Sequence, residues 1–179
     1  MKFIKLRIKK IMRIIMKDET LKELIESLNK DNLKDCAEKN LTPIKNAHIK
    51  SKNLSKKICY IKISDKTAKN TVYEFYFIQN NNKLYVSVVG VINYPFDNEP
   101  PNDLHFYTLE ENRKNGHLKN ALKETILHHL FLDRNNQYLT INKDNVPSIN
   151  LAKKLGFQHY RYDPCNEHDI YLLRKCDFF

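Results

Sequence analysis

His105 and Tyr107 stand two residues apart in the stretch HFYTLE, and Glu110 closes it. If that stretch is a strand, His105 and Tyr107 share one face. An imidazole titrates near neutral pH and can take or give a proton there, whereas a carboxylate such as Glu110 becomes a useful base once buried. Directly after it, residues 113–118 read Arg-Lys-Asn-Gly-His-Leu. A strand turning into a helix at this point aims unpaired backbone N–H groups and the positive end of a helix dipole at an anion. Gly116 lets the backbone approach such an anion with no Cβ in the way, and Arg113 and Lys114 add charge. Further along, Asn145 and Ser148 open a short helix that Gly156 closes, and Tyr160 and Tyr162 alternate on the strand that follows. Together these residues could move a proton beside an anion site.

The elements that must position them follow from hydrophobic period and punctuation. Residues 58–64, 72–79 and 84–94 are rich in Val, Ile, Tyr and Phe and read as strands, with a turn at Asn80-Asn81-Asn82. Residues 95–102 hold three prolines and cannot be regular structure. Residues 104–109 read as the next strand and 117–130 as the helix after the Gly turn. Strand 138–142, helix 147–155 and strands 157–162 and 169–174 complete the chain. Ahead of the sheet, Thr20-x-x-Glu23 is a capping box that starts a helix near Leu21, a second helix is expected over 31–38, and residues 42–57 read as a loop. His128 and His129, late in the long helix, are accounted for by its dipole.

The Gly turn resembles the pyrophosphate loop of the GNAT superfamily of N-acetyltransferases, whose pattern is Q/R-x-x-G-x-G/A. Arg113 and Gly116 match it, and Leu118 departs where the family carries Gly or Ala. The later stretch LAKKLGF is similar to the family's LYEKLGF, with Ala152 in place of the tyrosine that protonates the departing thiolate in many of those enzymes. The resemblance covers roughly residues 84–162. It implies an α+β fold: a GNAT-like central mixed, mostly antiparallel twisted sheet flanked by helices. It further implies acetyl-CoA as co-substrate, held by Thr108 and Leu109 through backbone groups, by Arg113, Lys114, Asn115, Gly116, His117 and Leu118 at the phosphates, and by Asn145 and Ser148 along the pantetheine arm. The implied reaction is direct acetyl transfer to a primary amine: a small molecule, a peptide N-terminus or a protein lysine. His105 and Glu110 rank first for the base, with Tyr107 next. Tyr160 and Tyr162 are the candidates to replace the missing acid.

Charge narrows the partners. The net charge is +10 over 179 residues, yet residues 1–62 hold seventeen Lys and Arg against seven Asp and Glu, while the remainder holds fourteen of each. The motif-bearing part is neutral, so a nucleic-acid or anionic-membrane partner would engage the N-terminal third. Residues 1–17, with seven basic residues and no acid, form a basic amphipathic segment. That segment fits a helix with Ile4, Ile8, Ile11, Met12 and Ile15 on one side, suited to a membrane surface or a partner, and alternates equally well as a strand. It reads otherwise as a first strand of the domain or as a start-site extension ahead of Met12, and residues 18–179 are expected to form a single domain. No secretory signal is expected, since no uninterrupted apolar core of sufficient length exists, and no transmembrane span is expected. Cys36, Cys59, Cys165 and Cys176 lack metal-site spacing, so reduced thiols, no metal, no disulfide and a cytoplasmic location are expected. Two further functions stand beside acetyl transfer. One is an acyl-CoA-binding domain without catalysis, motivated by Leu118 and Ala152, and the other is acetylation of a tRNA-borne amine. An exposed edge of the final strands could pair with a second copy, giving a homodimer.

Overall fold

Alternating apolar side chains and β-branched residues build one eight-stranded sheet in the computed structural model, which describes residues 17–32, 48–64, 72–93, 103–132, 134–164 and 167–179. The strands are β1 (His48–Ser55), β2 (Ile58–Ser64), β3 (Val72–Gln79), β4 (Tyr85–Asn93), β5 (Asp103–Thr108), β6 (Asn136–Asn142), β7 (Gln158–Asp163) and β8 (His168–Arg174). Their spatial order is β1-β2-β3-β4-β5-β6-β8-β7. Every neighbouring pair is antiparallel except β5 and β6, which run parallel. A parallel pair needs a crossover. Here it is helix α2, which begins as His117–Ala121, passes through a π-helical turn at Leu122–Ile126 and ends as Leu127–Leu130.

Helices cover both faces, and each face has its own core. Helix α1 (Asp18–Asn29) places Leu21, Leu24 and Ile25 on Ile63, Phe75, Phe77 and Val88. Helix α2 and helix α3 (Val146–Lys154) lay Leu122, Ile126, Leu127 and Ala152 on the opposite face, against Tyr76, Val91, Leu104, Leu139 and Leu173. Strand β3 is buried on both sides, which explains its unbroken run VYEFYFIQ. Among the described residues, no helix is long and apolar enough to cross a membrane.

Several expectations are corrected. Residues 48–55, read as loop, form strand β1, which pairs with β2 along its length. It is an edge strand whose Lys50, Ser51, Lys52 and Asn53 are exposed, so it carries no apolar alternation to detect. The capping box does not form: α1 starts at Asp18, with Lys17 at the N-cap making no side-chain cap, and Thr20 lies inside the first turn. His128 and His129 have specific partners in place of a generic dipole role. The Tyr76 hydroxyl lies 3.0 Å from His129 Nδ1, and His128 packs edge-on against Phe178 of a short terminal helix α4 (Lys175–Phe178) that the period did not reveal. The Asn80 turn holds, its Oδ1 accepting from the N–H groups of Asn82 and Leu84. The basic segment apart from Lys17, most of the expected second helix, and residues 95–102 lie outside the described residues.

Candidate active site

Strands β5 and β6 stay together for two residue pairs only, Asp103 with Tyr138 and Leu104 with Leu139. Beyond that point each follows its other neighbour. Strand β5 remains paired with β4 through Thr108, and β6 with β8 through Asn142. The sheet therefore opens into a cavity of about 210 Å³. Its walls are Leu104, His105 and Phe106 on β5, Leu139 to Asn142 on β6, Asp18 and Leu21 on α1, Asn145 and Ser148 at the start of α3, and His168.

The opening also exposes backbone. The Leu109 N–H donates to the Val86 carbonyl on β4 at 3.0 Å. Alternation along the strand then turns the N–H and C=O of Phe106 and Thr108 to the other edge, toward the space β6 has left. Leu109 is thus committed to β4, and Phe106 and Thr108 are the β5 residues with backbone groups to offer there. The Thr108 carbonyl already accepts from Arg113 Nε at 3.2 Å.

A carboxylate and an imidazole meet where the strands part. Asp103 is 1% exposed, and the Thr140 hydroxyl lies 3.0 and 2.8 Å from its two carboxylate oxygens. His105 Nε2 is 3.6 Å from Asp103 Oδ2. A buried carboxylate beside an imidazole stabilises the positive charge that forms when the ring takes a proton. At the cavity mouth stands Asp18, partly in water. Desolvation first, then the Glu19 carboxylate, raise its pKa above the ordinary 3.8, against the opposing pull of Arg113 and His105.

The Gly turn follows β5 through a 3₁₀ turn at Glu110–Asn112. Gly116 caps α2 at φ 75°, and Lys114 is also left-handed at φ 65°. The first N–H groups of α2 have no intrahelical partner, which leaves them available to an anion. Leu118 is partly buried and packs against the core beneath α2, so its bulk is spent on helix packing. Arg113 lies over the Tyr107 ring at 5.7 Å and 3.8 Å from the Glu110 carboxylate.

Helix α3 opens with Asn145 at the N-cap, its side chain accepting from the Ser148 N–H at 3.2 Å. It closes at Gly156, φ 93°, with the Phe157 N–H bonded to the Ala152 carbonyl. Ala152 is fully buried in the core beneath the sheet.

Of the sequence-derived candidates, the fold brings His105, Asn145 and Ser148 to one cavity. Tyr107 is buried under α1 beside Leu21. Glu110 points outward, its side chain 79% exposed. Tyr160 and Tyr162 are exposed on β7, the Tyr160 ring 6.1 Å from Tyr138. Asp103, Thr140, Asp18, Phe106 and His168 were not singled out from sequence. Asp103 had a usable signal, since Asp-x-His on a strand puts both side chains on one face. Asp18 had none, because its position depends on α1 packing across β4 and β5. Among the described residues, no group of three or more His, Cys, Asp or Glu could hold a metal ion.

No protein-family model matches this chain, and no curated protein does. Solved structures do. RimJ of Mycobacterium smegmatis, in complex with CoA-disulfide, aligns with a TM-score of 0.50 at 13% identity over 60% of this chain and 54% of that one. A protein of Bordetella pertussis described as a GNAT-family acetyltransferase aligns at 0.47 and 18% identity over 56% of this chain and 63% of its own. The chimeric spermidine N-acetyltransferase SpeG of Vibrio cholerae aligns at 0.48 and 13% identity over 59% of this chain and 70% of its own. The chain thus spans less than two-thirds of the first and second of these proteins. The fold is GNAT-like: a mixed, mostly antiparallel sheet, flanked by helices, that parts at the one parallel pair among the described strands.

Proposed function

We propose that this chain is an N-acetyltransferase that passes an acetyl group from acetyl-CoA directly to a primary amine. The observation that carries the reading is the parting of β5 from β6 with the Asp103–His105 pair inside it. The lining of the cavity offers polar groups that suit the arm of the co-substrate. Phe106 and Thr108 offer backbone groups along one edge, Asn145 and Ser148 line the far wall, and Gly116 with Arg113 and Lys114 suits the phosphates. Leu118 presents no obstacle, being packed against the core.

Acetyl-CoA supplies the activated thioester. His105 takes the proton that the acceptor ammonium must lose, and Asp103, steadied by Thr140, stabilises the imidazolium. A thiol ionises at ~8.5, so the thiolate can depart without a tyrosine at position 152 and then take up the second proton that the attacking nitrogen sheds as the amide forms. Holding both reactants in one cavity supplies much of the remaining acceleration.

Release of CoA thiol from acetyl-CoA in an amine screen tests the reading. Turnover that falls with His105→Asn supports it. Silence across amines, with CoA binding intact, favours the second reading, an acyl-CoA-binding domain without catalysis, to which the buried Ala152 lends weight.

A further inference from the structure

Arg113 is turned back on its own strand. The 3₁₀ turn at Glu110–Asn112 returns the chain toward the end of β5, where Arg113 Nε donates to the Thr108 carbonyl at 3.2 Å. Its guanidinium lies over the Tyr107 ring at 5.7 Å and 3.8 Å from the Glu110 carboxylate. The Leu109 N–H donates the other way, to Val86 on β4, so the Thr108 carbonyl stands on the edge of β5 that β6 has left. Arg113 thus occupies an acceptor that an amide of the pantetheine arm would use. Its hold is loose. The Arg113 and Glu110 side chains are 50% and 79% exposed, and an ion pair so open to water contributes little. A phosphate beside Gly116 offers the guanidinium fork a pair of charged oxygens, a stronger partner than any of these three.

We infer that Arg113 couples the two halves of the co-substrate. It bonds the Thr108 carbonyl until a phosphate at the Gly turn takes its guanidinium, and the carbonyl then passes to an amide of the arm. The arm site is thereby conditional on phosphate, and the chain selects phosphate-bearing carriers over the bare arm. This rests on the acetyl-CoA reading and adds a specificity-determining role within the same site.

The test is calorimetric titration of pantetheine, which carries the amides and no phosphate, into the full chain with and without saturating inorganic pyrophosphate. Wild type should bind pantetheine about tenfold more tightly with pyrophosphate, as release of one charge-assisted hydrogen bond would produce. By linkage, pantetheine should tighten pyrophosphate by the same factor. Arg113→Ala should bind pantetheine alone as tightly as wild type binds it with pyrophosphate, and should show no coupling. Its CoA affinity should fall. Pantetheine is uncharged, so loss of a positive charge gives no electrostatic reason for it to bind better. Arg113→Met, which keeps the length and removes the donor, should behave as Arg113→Ala does. If pyrophosphate leaves wild-type affinity for pantetheine unchanged, the carbonyl serves both donors at once and the assignment is overturned. It is also overturned if neither variant binds pantetheine better than wild type. In both cases CoA binding by wild type leaves the acetyl-CoA reading standing, whereas failure of wild type to bind CoA overturns the two together.

Discussion

The Thr140 hydroxyl reaches both carboxylate oxygens of Asp103, at 3.0 and 2.8 Å, across the point where β5 and β6 separate. It ties the two strands together at the last place they can be tied, and it sets the carboxylate that faces His105. Thr140→Val keeps the shape and removes a donor from a buried charge. The expected cost is about 1–3 kcal/mol in urea unfolding, together with a lower kcat and an unchanged KM for acetyl-CoA. Thr140→Ser, which keeps the hydroxyl, should stay close to wild type in both.

His105 is placed to touch the acceptor. His105→Asn should lower kcat by about 10²–10⁴ and leave CoA affinity unchanged, since the backbone that would hold CoA is untouched. Equal turnover in the variant would remove His105 from the chemistry. Glu110→Gln, altering an outward-facing side chain, should have no comparable effect.

Asp18 gives a pH signature. Its folded-state pKa is raised above the ordinary 3.8, by desolvation first and Glu19 second. A raised pKa means the folded chain holds this proton more tightly than the unfolded chain. The stability so gained is fully present below the unfolded value and is lost as pH rises through the folded one. Asp18→Asn should therefore raise the urea midpoint near neutral pH, and the gain should shrink as pH falls through the carboxylate range. Parallel pH curves for variant and wild type would contradict this.

Gly116 is required by conformation and not by space. A Cβ there would meet nothing closer than Asn120 Nδ2 at 3.8 Å, yet φ is +75°. Gly116→Ala should cost about 1 kcal/mol in urea unfolding, and Gly116→Asn less, because asparagine tolerates this region better.

Much of the frame was legible because it rests on local rules. The strands β2 to β5, the Gly turn and α3 announce themselves by period, punctuation and caps. Strand β1 was not legible: as an exposed edge it buries too little to impose a pattern. The site divides along the same line. His105, Asn145 and Ser148 could be read from their motifs. Asp18 and Thr140 reach the cavity only through packing between elements distant in sequence. Glu110 looked close to His105 along the chain, but the 3₁₀ turn carries it outward. Leu118 departs from the Gly or Ala of the pattern it resembles, and the core beneath α2 takes up its side chain.

The most direct measurement of the central claim is calorimetric titration of acetyl-CoA into wild type, Gly116→Glu and His105→Asn. An acyl-CoA site at the parted strands predicts micromolar binding in wild type, loss of binding in Gly116→Glu, and retention in His105→Asn. Absence of binding in wild type, or binding indifferent to Gly116→Glu, would contradict it.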